Sequence, residues 1–487
     1  MFQMVSTSAS TSSSTLTSPM AFSFSSPSLT PGTALSRHAQ RRRPWWEQPG
    51  GRDSVAARRP SAPPRARRHR PMRPRTRGSA RALPLVGFPG YDCGAVLQSW
   101  SNWSGRVTCE PRAILRPASE RAIADAVRDA APAGRRVRVA GSGHSFTPLV
   151  ATGDTLLSLD DWHGIAELDA THCRATFRAG SKIASLGEPL RVHGMGLANQ
   201  GDVDVQAIAG ALSTGTHGTG AALGSLSSQV CALRIVTAGG EIASCDTQHN
   251  PELLEAARVS LGALGVLSTT TLQLVPAYRL HERVWKVGID ACLAELADRV
   301  ARHRHFEFFW YPHRDYAEIK ALDPTDAVPD PLEHRKGERI DWSDRIFPSV
   351  RDLRFNEMEY AVPAASGPAC FAAVRARMQE KHADVVWPVE YRTVAADSGW
   401  LSPMHARDSV TISIHQDAKL PCDEFFADVE AIFREHGGRP HWGKIHRLRA
   451  RDLAPLYPMW ERFLEVQRRL DPRGTFLNDH LRELFGL

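Results

Sequence analysis

An α+β fold in two packed parts is predicted for this chain on three observations. Helical and strand-like patterns follow one another without the regular alternation of a doubly wound parallel sheet. About 400 residues outside the N-terminal tail exceed what one hydrophobic core supports, and the 42% apolar fraction is enough to fill two. Two loops rich in Gly, Ser and Thr, about 65 residues apart, each adjoin an apolar run.

Residues 1–90 form the tail. They hold 15 arginines, no lysine and only Glu47 and Asp53 as acids, a charge of +13 that leaves −6 of the chain's +7 for residues 91–487. Ser/Thr-rich and then Arg/Pro-rich sequence cannot bury a core, so disorder is predicted. Three readings compete: an organelle transit peptide, an arm binding nucleic acid without specificity, or a start codon placed too far upstream in a GC-rich gene. The prolines defeat the amphipathic helix of a transit peptide and favour the last. Few aromatics interleave the arginines, so no specific nucleic-acid partner is expected.

The first globular part is placed at 91–276. Ser119 ahead of Ile123, Ala126, Val127 and Ala130 reads as a capped amphipathic helix, followed by a strand at 136–140. Strand patterns continue at 155–159, 165–169 and 173–178, Ser181 is placed to cap a helix reaching about His193, and a β-rich stretch from Val266 to Val275 closes the part. A second part, 277–438, mixes strands at 306–310 and 410–414 with helices at 291–302, 370–381 and 423–435. Residues 439–487 are expected to return to the first part, making the second an insertion.

The chemistry is concentrated in Ala140-Gly141-Ser142-Gly143-His144-Ser145-Phe146. Gly141 and Gly143 let backbone N–H groups approach a pyrophosphate, Ser142 and Ser145 add hydroxyl donors, and the His144 ring nitrogen is a nucleophile for an electrophilic carbon such as a flavin methyl. Phe146 stands where a dinucleotide fingerprint needs its third glycine, which excludes a nicotinamide Rossmann domain. The second loop, Gly210-Ala211-Leu212-Ser213-Thr214-Gly215-Thr216-His217-Gly218, suits backbone lying along a long anionic ligand.

With Glu390-Tyr391-Arg392-Thr393-Val394 and Arg439-Pro440-His441-Trp442-Gly443-Lys444, these motifs resemble the vanillyl-alcohol oxidase/p-cresol methylhydroxylase flavoproteins, and within them the FAD-linked sugar-1,4-lactone and alditol oxidases. The resemblance covers residues from about 92 to 487. It implies an FAD-binding fold of the p-cresol methylhydroxylase type with an inserted substrate cap, and FAD bonded covalently through His144. The cofactor set it implies adds Gly201, Asp202, Ala207, Val266 and Lys444 to the two loops.

Catalysis by such a protein requires a hydroxyl to lose its proton while its carbon gives up a hydride, so a base and cations must converge. Glu390 and Arg392, two apart on a strand, share one face, although the same spacing describes a structural ion pair. Lys444 follows a glycine and supplies a cation for a substrate oxygen or an anionic ring. Asp202 and His415 complete the substrate set, His415 by its family position.

Asp202 and Gly201 replace the serine and alanine of the alditol oxidases compared, which favours a D-arabinono-, L-gulono- or L-galactono-1,4-lactone over an alditol. A flavin-free carbohydrate- or RNA-binding protein is the distant alternative. The resemblance places Gly201 where a small residue controls entry of O₂, so an oxidase releasing H₂O₂ is expected. His303, His305, His313, His441 and His446 lack metal-ligand spacing, and no metal is expected. Eight scattered cysteines and no long apolar run favour a reducing, cytoplasmic location, or an organelle if the tail is a transit peptide.

Overall fold

The computed structural model describes residues 98–329, 336–349 and 352–487. The tail expected to be disordered lies outside them. Among the described residues no helix is long and apolar enough to cross a membrane, and all seven cysteines are free.

Two larger sheets build the first part, beside two-stranded pairings of Trp100–Ser101 with Thr108–Cys109 and of Met195–Gly196 with Val275–Pro276. A parallel three-stranded sheet sets Thr155–Ser158 between Ala113–Leu115 and Val137–Ala140. An antiparallel five-stranded sheet runs, in order, Ile242–Asp246, Val230–Val236, Val266–Gln273, Arg174–Arg178 and Ile165–Asp169. The helix Glu120–Ala130 is capped as predicted: Ser119 Oγ accepts from the Ala122 N–H at 3.1 Å, and Ile123, Ala124, Val127 and Ala130 are buried.

Ser181 does not cap a helix. Its Oγ accepts from the Gly164 N–H at 2.8 Å and donates to the Arg178 carbonyl at 2.7 Å, so it ties two loops together. A short 3₁₀ turn, Ile183–Ser185, intervenes before the helix Gly187–Val192. The single helix expected at 291–302 is two, Ile289–Ala294 and Leu296–Arg302, parted at Glu295.

The chain then enters an antiparallel eight-stranded sheet: Glu338–Trp342, Arg279–Gly288, Tyr316–Thr325, His305–Tyr311, Val389–Val394, Ser409–Asp417, Phe355–Pro363 and Arg439–Pro440. Pleating divides its residues between two faces. Phe306, Phe308, Trp310, Tyr391, Ile412, Met358 and Tyr360 lie on one, buried with Phe371 and Val374 of the helix Gly367–Lys381 and Phe433 of Asp423–Glu435. The other face carries Glu307, Lys320, Glu357, Glu359, Glu390, Arg392, Ser413 and His415.

The last segment joins both parts. Arg439–Pro440 pairs with Tyr360 and Ala361 at the sheet's edge, whereas the Thr475 carbonyl accepts from the Val137 N–H at 2.8 Å. Arg138 reinforces this second contact. Its buried guanidinium donates to the carbonyls of Leu149, Leu261, Gly262 and Phe476, joining the strand Val137–Ala140 to the C-terminal turn.

Candidate active site

The strand Val137–Ala140 ends at the mouth of a cleft enclosing about 1020 Å³, its open side included. Ala140, Gly141, Ser142, Gly143, His144 and Ser145 form one wall, and Ala207, Gly210, Ser213 and Thr214 form another. The remaining wall holds Leu159, Asp160, Ala179, Gly180, Gly262, Gly265 and Leu267.

Main chain, not side chain, defines much of this surface. A Cβ on Gly141 would stand 3.0 Å from Ala207 Cβ, and Gly143 has φ +71°. Such a groove, lined by glycines and mainly apolar groups at a strand end, fits an extended dinucleotide approached by backbone N–H groups. Gly215, Thr216, Phe146 and Val266 stand behind the lining. Val266 packs its side chain in the core, and its neighbours Gly265 and Leu267 are the residues that face the cleft.

His144 is half-buried and stacks on Trp103, with centroids 5.2 Å apart and planes at 22°. Burial, and then the ammonium groups of Lys444 and Lys182, push its pKa down to about 4. Its imidazole is therefore neutral at pH 7 and keeps a lone pair, the state a nucleophile requires.

The fourth motif lies directly on the first. The Phe146 N–H donates to the Gly443 carbonyl at 2.7 Å, and Thr147 Oγ1 donates to the Trp442 carbonyl at 3.0 Å. Lys444 Nζ consequently sits 5.3 Å from the centroid of the Phe146 ring and in an ion pair with Glu357.

From Lys444 a buried charge network spreads over the polar face of the large sheet. Burial raises the Glu357 carboxyl, but Lys444 and His415 overcome it and hold the pKa near 2. His415 Nε2 is 3.7 Å from Glu357, and His415 Nδ1 is 2.9 Å from the Pro388 carbonyl. Two residues on, Glu359 accepts from Arg392 at 3.1 Å and Ser413 at 3.3 Å, and its other oxygen is 2.6 Å from His217 Nε2. Arg392 also lies 3.2 Å from Glu390, so one guanidinium serves two carboxylates. Burial would lower its pKa, but those carboxylates raise it and keep it charged.

The remaining expected residues sit around this network. His217 points its ring at Glu359 and so joins the second loop to the sheet. A Cβ on Gly201 would be 3.0 Å from the His217 carbonyl oxygen, so adjoining backbone packs closely against this glycine. Asp202 lies 3.4 Å from Lys320 and accepts from Ser349 Oγ at 3.4 Å. Glu307, Lys320, Glu357, Glu359 and Gly180 escaped sequence reasoning. Only Glu357 and Glu359 left a signal, as acids alternating with Asn356, Met358 and Tyr360 in a strand-like run.

Known proteins align with both halves of this arrangement. A family model described as FAD binding domain matches residues 111–246, and one described as D-arabinono-1,4-lactone oxidase matches 270–340 and 332–484. An L-gulono-1,4-lactone dehydrogenase of Mycobacterium tuberculosis (strain ATCC 25618 / H37Rv) is 38% identical, covering 80% of this chain and 99% of its own. An L-gulonolactone oxidase of Scyliorhinus torazame is 29% identical, over 81% and 100%. An alditol oxidase of Streptomyces sp. (strain IKD472 / FERM P-14339) is also 29% identical, over 79% and 98%.

Among solved structures, a solvent-stable cholesterol oxidase superposes with a TM-score of 0.71 at 17% identity, covering 80% of this chain and 97% of that one, which shows the shared fold. The cleft, the charged sheet face above it and these alignments together show that the chain belongs to the FAD-dependent sugar-1,4-lactone and alditol oxidoreductases, within the vanillyl-alcohol oxidase/p-cresol methylhydroxylase flavoproteins.

Proposed function

We propose that the chain oxidises a C–OH group of a sugar-1,4-lactone of the D-arabinono, L-gulono or L-galactono type, with electrons passing from FAD to O₂ to give H₂O₂. The observation that carries this reading is the junction of the first and fourth motifs: the Phe146 N–H to Gly443 carbonyl bond sets Lys444 beside both the glycine-lined cleft and the polar sheet face. On this reading residues 91–276 and most of 439–487 hold FAD, while 277–438 cover the substrate.

FAD held along Ala140–Ser145, Ala207, Gly210 and Thr214 supplies an acceptor for a hydride from carbon. Glu390 takes the proton of the substrate hydroxyl. Arg392, held by Glu359 and Glu390, donates to substrate oxygen, and Lys444, held by Glu357, places a second cation there. Burial of this face strengthens each charge–dipole interaction by excluding water. A panel of lactones and alditols, read by flavin bleaching without oxygen, tests the substrate class. Bleaching by alditols alone overturns the lactone reading.

Neutral His144 is read as the covalent attachment point. Flavin is then expected to stay with the polypeptide through acid precipitation and to fluoresce in a denaturing gel, with the band lost in His144→Ala. A yellow supernatant over a colourless wild-type pellet rejects the covalent bond and leaves the flavin.

A dehydrogenase using another acceptor is the second reading, favoured by the contact between Gly201 and the His217 backbone and by the name of the mycobacterial relative. For the oxidase reading, stopped-flow mixing of reduced enzyme with air-saturated buffer is expected to reoxidise the flavin with equimolar H₂O₂. Inertness to O₂ with turnover on an artificial dye replaces that reading by the dehydrogenase one. We also propose a cytoplasmic location, on the scattered spacing of the eight cysteines, which offers no disulfide framework.

A further inference from the structure

The polar sheet face extends beyond the groups that meet substrate. Glu307 is paired in register with Arg392 on one side and Lys320 on the other, and Asp202 approaches from the loop before the second motif. Oxygens of Asp202, Glu307 and Glu390 all lie within 4.8 Å of one another. Lys320 Nζ is 2.9 Å from Glu307 Oε1 and 3.4 Å from Asp202 Oδ1.

Lys320 thus holds Glu307 Oε1 in a buried ion pair. Beyond Lys320, the buried Oε1 has no hydrogen-bond partner among the described residues. Three carboxylates this close repel one another when all are ionised, so the cluster is stabilised when one of them holds a proton. We propose that Glu307 stores the substrate's hydroxyl proton, receiving it from Glu390 across this short gap. The proposal rests on the reading of Glu390 as base. It assigns Glu307 a role through Glu390, not a contact with substrate.

The balance is simple. The substrate O–H bond breaks as an O–H bond forms on Glu390, while the C–H electron pair leaves as hydride to the flavin and the C=O bond forms. The Glu390 O–H bond then breaks and one forms on Glu307, directly or through one water, leaving Glu390 ionised for the next turnover.

The surroundings suit a group that exchanges a proton near neutrality. Burial raises the Glu307 pKa, Lys320 opposes, Asp202 and Glu390 raise it further and Arg392 opposes, with a result of about 7. Lys320 stays charged although burial favours its neutral form, because Asp202, Glu307 and, from the strand Arg279–Gly288, Glu282 face it. Arg339 is taken up by Glu282.

Glu307→Gln keeps the shape and removes the proton site. In the holoenzyme, steady-state turnover of an accepted lactone is expected to show a limb falling as pH drops through about 7, because a protonated Glu307 leaves the substrate's proton on Glu390 and blocks the next turnover. Glu307→Gln should lose that limb and run about tenfold slower on the plateau. Lys320→Met removes the opposing cation, so the limb should move to higher pH.

An infrared titration of resting holoenzyme gives a readout free of turnover. The wild type is expected to show a carboxylic-acid carbonyl band that fades as pH rises through about 7, absent in Glu307→Gln and fading at higher pH in Lys320→Met. An unchanged band and limb in both variants overturns the proposal. Slow reduction by Glu390→Gln in the same series shows that the base reading has survived; full-speed reduction there shows that the base reading itself has failed.

Discussion

Glu390→Gln, Arg392→Ala and Lys444→Ala are each expected to slow anaerobic reduction of the flavin by substrate by about 100-fold or more, since each removes a base or cation aimed at charge that develops in the transition state. Their side effects should differ. Arg392 is shared by Glu359 and Glu390, so its loss leaves two buried carboxylates facing one another with Ser413 between them, a change that costs about 3–5 kcal/mol when a buried pair is broken. Lys444→Ala strips Glu357 of its main counter-charge and leaves His415 at 3.7 Å. Glu390→Gln keeps shape and neutralises one acid, so it should melt closest to wild type. Rates therefore need to be read beside melting temperature and retained flavin. Near-wild-type reduction by all three variants would reduce Glu390, Arg392 and Lys444 to a structural charge cluster.

What the sequence reveals here follows the range over which each signal acts. The Ser119 cap and the helix Asp423–Glu435 depend on neighbours within a turn or two, and both are legible from spacing alone. Glu390 and Arg392 share a face because the strand period is two, and their 3.2 Å contact realises that pattern. Ser181 shows the limit of local reading. A serine before a helical pattern suits a cap, yet its hydroxyl is recruited by Gly164 and Arg178 once the loops meet.

The rest of the charged face was hidden because strand order is not a local property. Phe355–Pro363 lies outside Ser409–Asp417 although it precedes it in the chain, and this crossing brings Glu357 to His415 and Glu359 to Ser413. An acid alternating with apolar residues looks like a solvated strand face until a second part of the chain covers it. Gly201 shows the same limit from the opposite side: its smallness is visible in the sequence, but the backbone that uses the space belongs to His217.

Gly180→Ala is expected to give the largest loss of fold and flavin from a single methyl group. The two motif loops carry the glycines that stand out in the sequence, but Gly180 lies between them, in Ala179-Gly180-Ser181 on the cleft wall. Its N–H donates to the Trp162 carbonyl at 3.0 Å, which seats it over the turn at 159–162. A Cβ there would fall 1.7 Å from the Leu159 carbonyl oxygen, 2.5 Å from the Leu159 carbonyl carbon and 2.9 Å from the Trp162 oxygen. No rotamer relieves a collision between Cβ and main chain. The turn at 159–162 must separate from 178–181, breaking the Gly180 N–H bond and widening the wall formed by Leu159, Asp160 and Ala179. Overpacking among movable side chains costs about 1–3 kcal/mol, and a main-chain collision should exceed that range. Gly153→Ala is the control, because a Cβ at 153 meets nothing within 4 Å. Thermal melting and bound flavin absorbance should both fall sharply for Gly180→Ala and hold for Gly153→Ala. If Gly180→Ala melts with the control and keeps its flavin, the two turns are not packed as closely as their backbone contact requires, and the narrow wall assigned to the cofactor cleft is wrong.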